Sequence, residues 1–279
     1  MFLQGNFLTR LSAAVFVVLA LTVKVYSNEI AHATPGSSSS SVQTQAPFSP
    51  IEMDQKFKTW TESVRYYKQR YGLVDLYSKR IDNVGEGFEE LYGLRNMRVV
   101  LQGVFYRGGA NNYYNKHGVR PNKNPMPQEG LENLCKENFR DVIYLYKDNF
   151  DTASNVSCSS ILQQKNHTNY VQLSAMDEPK QVSILKIIFN HIQNFETQPI
   201  FGHCWNGWHA SGLISALALM QFCRFTSQEA LDYWKKNTDG NDKGYDNIIT
   251  RIKDFKPIAE LSVSEAIQRE MCLQIGTRK

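Results

Sequence analysis

Apolar positions recur at three- and four-residue spacing between Met53 and Tyr71, where Phe57, Trp60, Val64, Tyr67 and Tyr71 form one stripe. That period predicts an amphipathic helix. The run 99–106 is rich in β-branched and aromatic residues and ends at Arg107-Gly108-Gly109, so it reads as a strand followed by a turn. Residues 111–127, dense in Asn, Pro and Gly, read as a loop, and 128–138 as a helix with Leu131, Leu134 and Cys135 on one face. The nearly continuous apolar run 141–146 is expected in a strand covered on both sides. The pattern then predicts a weak helix over 158–164, a short strand at 170–173, a helix over 180–195 and a strand at 199–201. Helices are predicted over 213–222, 227–236, 245–255 and 261–275, and no internal repeat is visible. Strands alternating with helices imply an α/β fold, a mainly parallel central sheet flanked by helices on both faces. Ligands in such folds sit beyond the carboxyl ends of the strands, which points to the segment after Phe201.

The N-terminus follows a different pattern. Residues 11–23 are apolar and uncharged, bounded by Arg10 and Lys24, and Ala31-His32-Ala33 offers a small-x-small cleavage pattern. The stretch is shorter than the roughly 20 residues of a membrane span and suits an export signal. Residues 1–33 are therefore expected to be a signal peptide or an uncleaved membrane anchor, with a possible tether through 11–23. The Ser- and Pro-rich residues 34–50 are expected to be a disordered linker, and 51–279 a single domain. The expected location is periplasmic or secreted, or membrane-anchored if the signal is retained.

Composition excludes several classes. Thirty-one Lys and Arg against 27 Asp and Glu give a net charge of only +4, with no basic stripe of the kind a nucleic-acid partner requires. Mean hydropathy of −0.41 excludes a multi-span membrane protein. No dinucleotide or nucleotide glycine motif occurs, and the spacing of His203, Cys204 and His209 is not that of a zinc site. Neither metal nor cofactor is expected. Asn155-Val156-Ser157 and Asn166-His167-Thr168 have the form of glycosylation sequons.

The loop His203-Cys204-Trp205-Asn206-Gly207-Trp208-His209-Ala210-Ser211-Gly212 joins a predicted buried strand to an apolar helix. Backbone N–H groups at such a helix start converge on an anion, ideally a phosphate. A cysteine in the same field is favoured as a thiolate nucleophile, and Ser211 is placed to hydrogen-bond it. This loop resembles the His-Cys-x-x-Gly-x-x-Arg-Ser/Thr-Gly signature of the cysteine-dependent protein tyrosine and dual-specificity phosphatases. His203, Cys204, Gly207, Ser211 and Gly212 match it in spacing. His209 and the stretch Phe105 to Gly109 resemble the atypical, plant-and-fungi-like branch, and the similarity runs over about residues 98–255.

The resemblance implies a phosphatase-like fold and a phosphorylated substrate, either protein or small molecule. It implies catalytic roles for Cys204, His203 and Ser211, and for Asp177 as the general acid ahead of the 180–195 helix. Trp205, Asn206, Gly207, Trp208, His209 and Ala210 become the substrate-binding loop, with Arg107 beside it. Blander readings stand beside these: Asp177 as a helix N-cap, Arg107 as a structural ion-pair residue, Trp205 and Trp208 as packing. One position departs from the signature, because Ala210 occupies the place of the Arg that clamps phosphate oxygens. His209, Arg107 and Arg224 are the candidate substitutes; a catalytically silent protein that binds an anionic ligand is the alternative. Finally, five cysteines leave at least one thiol unpaired within a monomer. Cys204 is the expected free one, and Cys135, Cys158, Cys223 and Cys272 can form two bridges in three ways.

Overall fold

The computed structural model describes residues 57–111, 125–148, 154–194 and 198–273. The export or anchor segment, the linker, the beginning of the first predicted helix and most of the 111–127 loop lie outside these residues. Among the described residues no helix is long and apolar enough to cross a membrane.

In chain order the elements are α1 (Trp60–Tyr71), β1 (Leu94–Leu101), β2 (Phe105–Ala110), α2 (Gln128–Lys136), β3 (Asp141–Tyr144), β4 (Val156–Ser159), β5 (Lys165–Gln172), α3 (Glu178–Gln193), β6 (Ile200–Cys204), α4 (Ala210–Cys223), α5 (Ser227–Lys236), α6 (Asp246–Asp254) and α7 (Glu265–Met271). The six strands form one sheet in the order β1-β2-β6-β3-β5-β4. The four inner strands run parallel, and β1 and β4 close the edges antiparallel. The fold is therefore α/β, with a mainly parallel sheet and helices on both faces.

Period-two alternation supplies the two faces. Val100, Phe105, Ile143 and Ile200 pack with α3, α4, α5 and α6. Their strand neighbours Val99, Tyr106, Val142 and Phe201 pack with α1 and α2 on the other side. The α4 helix is buried at every position from Ala210 to Phe222, as expected of a helix that is apolar all round.

Several elements differ from expectation, and the turn expected at Arg107-Gly108-Gly109 is part of strand β2. The 99–106 run is two strands, because Gly103 adopts a left-handed φ of 72° and Val104 N–H donates to the Leu101 carbonyl at 3.0 Å. A hairpin turn thus hides inside an apolar stretch. Residues 158–164 form strand β4 and a turn, not a helix, and β5 is longer than predicted. The inward positions of β5 include Asn166 and Thr168, whose polarity conceals the alternation; both satisfy the Phe139 carbonyl, at 3.0 and 2.7 Å. The C-terminal helix is short, beginning at the Ser264 N-cap and ending before Cys272.

The cysteines resolve into Cys135–Cys158 and Cys223–Cys272, leaving Cys204 free. Loops of 23 and 49 residues close through them, which by chain entropy stabilises the fold by about 3 and about 4 kcal/mol. Thiol titration of the denatured, unreduced protein should find one thiol per chain, rising to five after reduction. More than one before reduction would contradict this pairing.

Candidate active site

Strand β6 lies at the centre of the sheet, between β2 and β3, and ends at Cys204. The chain then loops through 205–209 into α4. This is a strand–loop–helix unit whose helix start exposes the first-turn amides. Cys204 is 5% exposed, and its Sγ lies 3.5 Å from Ser211 Oγ. The Ser211 carbonyl accepts from Ser215 Oγ at 2.7 Å, which fixes the first turn of α4.

The loop is seated on glycines. A Cβ on Gly109 would meet the Trp205 carbonyl and lie 2.6 Å from Asn206 C, and one on Gly207 would lie 2.6 Å from Gly108 C. Gly207 also holds φ at 76°, a region costly for other residues. Two buried groups pin the turn. Asn96 Nδ2 donates to the Asn206 carbonyl at 2.8 Å, and Arg107 Nη1 donates to the Gly207 carbonyl at 2.9 Å. All described peptides are trans, so the N–H groups of Gly207 and Trp208 point the opposite way, off the scaffold.

His203 is fully buried and stacks near-parallel with Tyr144 and Tyr170, at ring separations of 5.2 and 5.6 Å. Met126 N–H donates to Tyr170 Oη at 2.8 Å, which leaves the hydroxyl proton for His203 Nε2, also at 2.8 Å. The remaining ring proton sits on Nδ1 and is donated to the Cys204 carbonyl at 3.3 Å. Burial holds the imidazole neutral, its pKa pushed down to about 3. The unfolded chain therefore binds this proton first as pH falls below the ordinary His value. Stability contributed by neutral His203 is present above pH 6.5 and declines by about 1.4 kcal/mol per pH unit toward pH 3. His203→Gln should flatten that part of the acid-unfolding profile; an unchanged slope would contradict this account.

The expected site residues divide into four groups. Cys204, His203, Ser211, Gly207, Ala210 and Arg107 are brought together around the loop. Arg107 lies behind it, fully buried, with Nη2 on the Asn237 carbonyl at 3.4 Å and its guanidinium over the Tyr233 ring. Trp208 and His209 face outward: Trp208 Nε1 donates to Asp239 at 2.9 Å, and His209 Nε2 donates to the Asn241 carbonyl at 2.7 Å while stacking 3.6 Å from Tyr245. Burial lowers the His209 pKa, so this ring is not a standing cation. Trp205 and Asn206 are half-buried along the loop.

Asp177 stands apart. It follows β5 on the carboxyl edge of the sheet, two strands from β6. Its side chain makes no capping bond, is 43% exposed and pairs with Lys180 at 3.7 Å. Arg224 cannot replace the absent loop Arg. It caps the far end of α4 in a left-handed conformation and pairs with Glu265 at 3.0 Å, about 20 Å along the helix from Ala210.

Three supporting residues escaped the sequence reading: Asn96, Arg98 and Asp239. The one available signal was Arg98 inside a strand buried on both faces. Apart from the local Arg98–Asn96 contact, the partners of all three come from pairings made only in the fold.

No known protein-family profile and no curated protein sequence matches the chain. Among solved structures, a crystal structure of P. aeruginosa TpbA is similar at 16% identity, over 61% of this chain and 89% of that one, with a TM-score of 0.37. A cysteine-to-serine variant of TpbA in complex with phosphotyrosine is similar at 16% identity, over 66% and 93%, with a TM-score of 0.38.

Proposed function

We propose that the chain is an exported phosphatase-fold enzyme that hydrolyses phosphate monoesters through Cys204, slowly, with backbone amides doing most of the work of the absent loop Arg. The observation that carries this reading is the single unpaired thiol, held against Ser211 at the start of a buried helix behind a glycine-seated loop. Two disulfides among the other cysteines fit an oxidising compartment.

In the proposed reaction the Cys204 thiolate attacks phosphorus and the P–O ester bond breaks. Asp177, across two strand spacings or about 10 Å of sheet edge, protonates the leaving oxygen. Water then attacks the phosphocysteine, giving its proton to Asp177, and inorganic phosphate departs with the thiolate restored. Amides of the turn and the positive end of α4 balance the developing charge. His203 and Ser211 hold the nucleophile's backbone and thiol.

A second reading, an anion-binding protein without turnover, is favoured by one specific observation. Position 210 offers only a methyl group, while Arg107 and His209 each spend donors on carbonyls. Hydrolysis of an aryl phosphate by the wild type and by Cys204→Ser separates the two. Slow turnover that falls at least 10²-fold in the variant supports the enzyme. Equal background rates, with phosphate still bound, would leave the silent reading.

A further inference from the structure

Behind the loop lies a layer of charge that the reaction above does not use. Arg98 of β1 pairs in register with Arg107 of β2, and both side chains are buried. Arg98 Nη2 lies 3.3 Å from Asp239 Oδ1, and Lys79 Nζ lies 2.9 Å from Asp239 Oδ2. Among the described residues Asp239 is the only carboxylate ion-paired with Arg98 or Lys79, and Arg107 donates to backbone carbonyls alone. The Nε atoms of Arg98 and Arg107 are both buried and meet no partner. Uncompensated buried cations are strongly unfavourable. Burial, and then the neighbouring Arg107 charge, pull the Arg98 guanidinium down to about 10. Such an excess calls for an anion.

The geometry around Arg98 indicates where that anion sits. Arg98 Nη1 donates to the carbonyl and side-chain oxygens of Asn96, at 3.3 and 3.4 Å, and Asn96 holds the Asn206 carbonyl. Its register partner Arg107 holds the Gly207 carbonyl. Its ion-pair partner Asp239 holds the Trp208 indole. Three consecutive loop residues are thus each fixed by a group that Arg98 touches or faces.

We propose that Arg98 is the positioning cation of the anion site: through Asn96, Arg107 and Asp239 it holds residues 206–208 so that the Gly207 and Trp208 amides face the ligand, and its own excess charge is complemented when an oxyanion occupies the loop. In this way β1 supplies from behind part of the charge that Ala210 withholds from the front. The inference rests on the anion-binding reading of the loop.

The test measures inorganic phosphate and orthovanadate affinity, together with thermal unfolding in the absence of ligand, for the full chain and for Arg98→Met and Arg98→Lys. Arg98→Met removes the charge, keeps an apolar stem, and leaves Asp239 with Lys79 and Trp208. Its oxyanion dissociation constant should rise about tenfold to thirtyfold, the effect of a unit charge acting at roughly 10 Å through an effective dielectric near 20. Its unliganded melting temperature should hold or rise, since a buried like charge is gone. Arg98→Lys keeps the charge but not the two-armed contact to Asn96 and Asp239, and should lose less than Arg98→Met, about threefold to tenfold. A merely structural Arg98 gives the opposite pair of results, a lower melting temperature with unchanged affinity, and would overturn the proposal. If Arg98→Met does not fold, a thirtyfold loss in a folded Arg98→Lys would overturn it equally. If the wild type itself binds neither oxyanion, the anion-loop reading fails first, and this inference with it.

Discussion

Ala210→Arg should raise aryl-phosphate turnover by about 10²–10³-fold, the reverse of removing one preorganised donor to a developing oxyanion. Ala210 is the first residue of α4, and it packs in the same core cluster as Cys204. A guanidinium on that residue can fold back over the loop and offer a planar fork to two phosphate oxygens, a geometry that an ammonium cannot reproduce. Ala210→Lys should therefore gain less, by roughly tenfold or more. Because the fork acts on the transition state, most of the gain should appear in kcat. The gain should vanish in Ala210→Arg combined with Cys204→Ser. A folded Ala210→Arg protein with unchanged turnover would show that the loop is not where phosphoryl chemistry occurs.

Gly207→Ala should be among the most damaging single-methyl substitutions in the protein. The backbone φ of 76° already disfavours any side chain, and the added carbon would lie 2.6, 2.8 and 2.9 Å from Gly108 C, Gly109 N and Gly108 O. All three are strand backbone atoms that cannot swing aside. The loop must lift, and its carbonyl then leaves Arg107. A loss of about 2–4 kcal/mol is expected from strain plus the orphaned guanidinium, or roughly 5–15 °C in melting temperature for a domain of this size. Oxyanion affinity should drop at least tenfold well below that temperature. Gly240→Ala provides the control: φ is 81°, but nothing lies within 4 Å, so only the conformational cost of about 1 kcal/mol remains. Equal effects at the two glycines would refute the seating of the loop on β2.

How far the sequence revealed this arrangement depended on where each signal lay. The loop and its flanks were legible because they are local: an apolar strand, a cysteine, two glycines and an apolar helix follow one another between Pro199 and Phe222. The free thiol was legible from parity together with that loop, whereas the pairing of the other four cysteines needed the fold. Strand β5 was half-read because Asn166 and Thr168 point inward to satisfy carbonyls, and alternation reads polar residues as exposed. The β1–β2 hairpin was missed because its turn, Gln102-Gly103, is enclosed by apolar residues. Beyond this, the support of the site is non-local. Arg98 and Arg107 meet by strand pairing, and Asp239 arrives from the turn after α5, more than a hundred residues along the chain. Nothing in periodicity reports such a meeting, although arginines in a doubly covered strand, here Arg95 and Arg98, are a usable warning. Arg224 looked like a nearby cation only because sequence distance hides the length of a helix.

Acid-quenched single turnover of an aryl phosphate, followed by peptide mass spectrometry, tests the central claim most directly. The account predicts a phosphoryl adduct on the peptide bearing Cys204, accumulating in the wild type and more strongly in Asp177→Asn, where water is no longer activated. It predicts none in Cys204→Ser. Product released by the wild type with no adduct on Cys204, or an adduct confined to another residue, would contradict it.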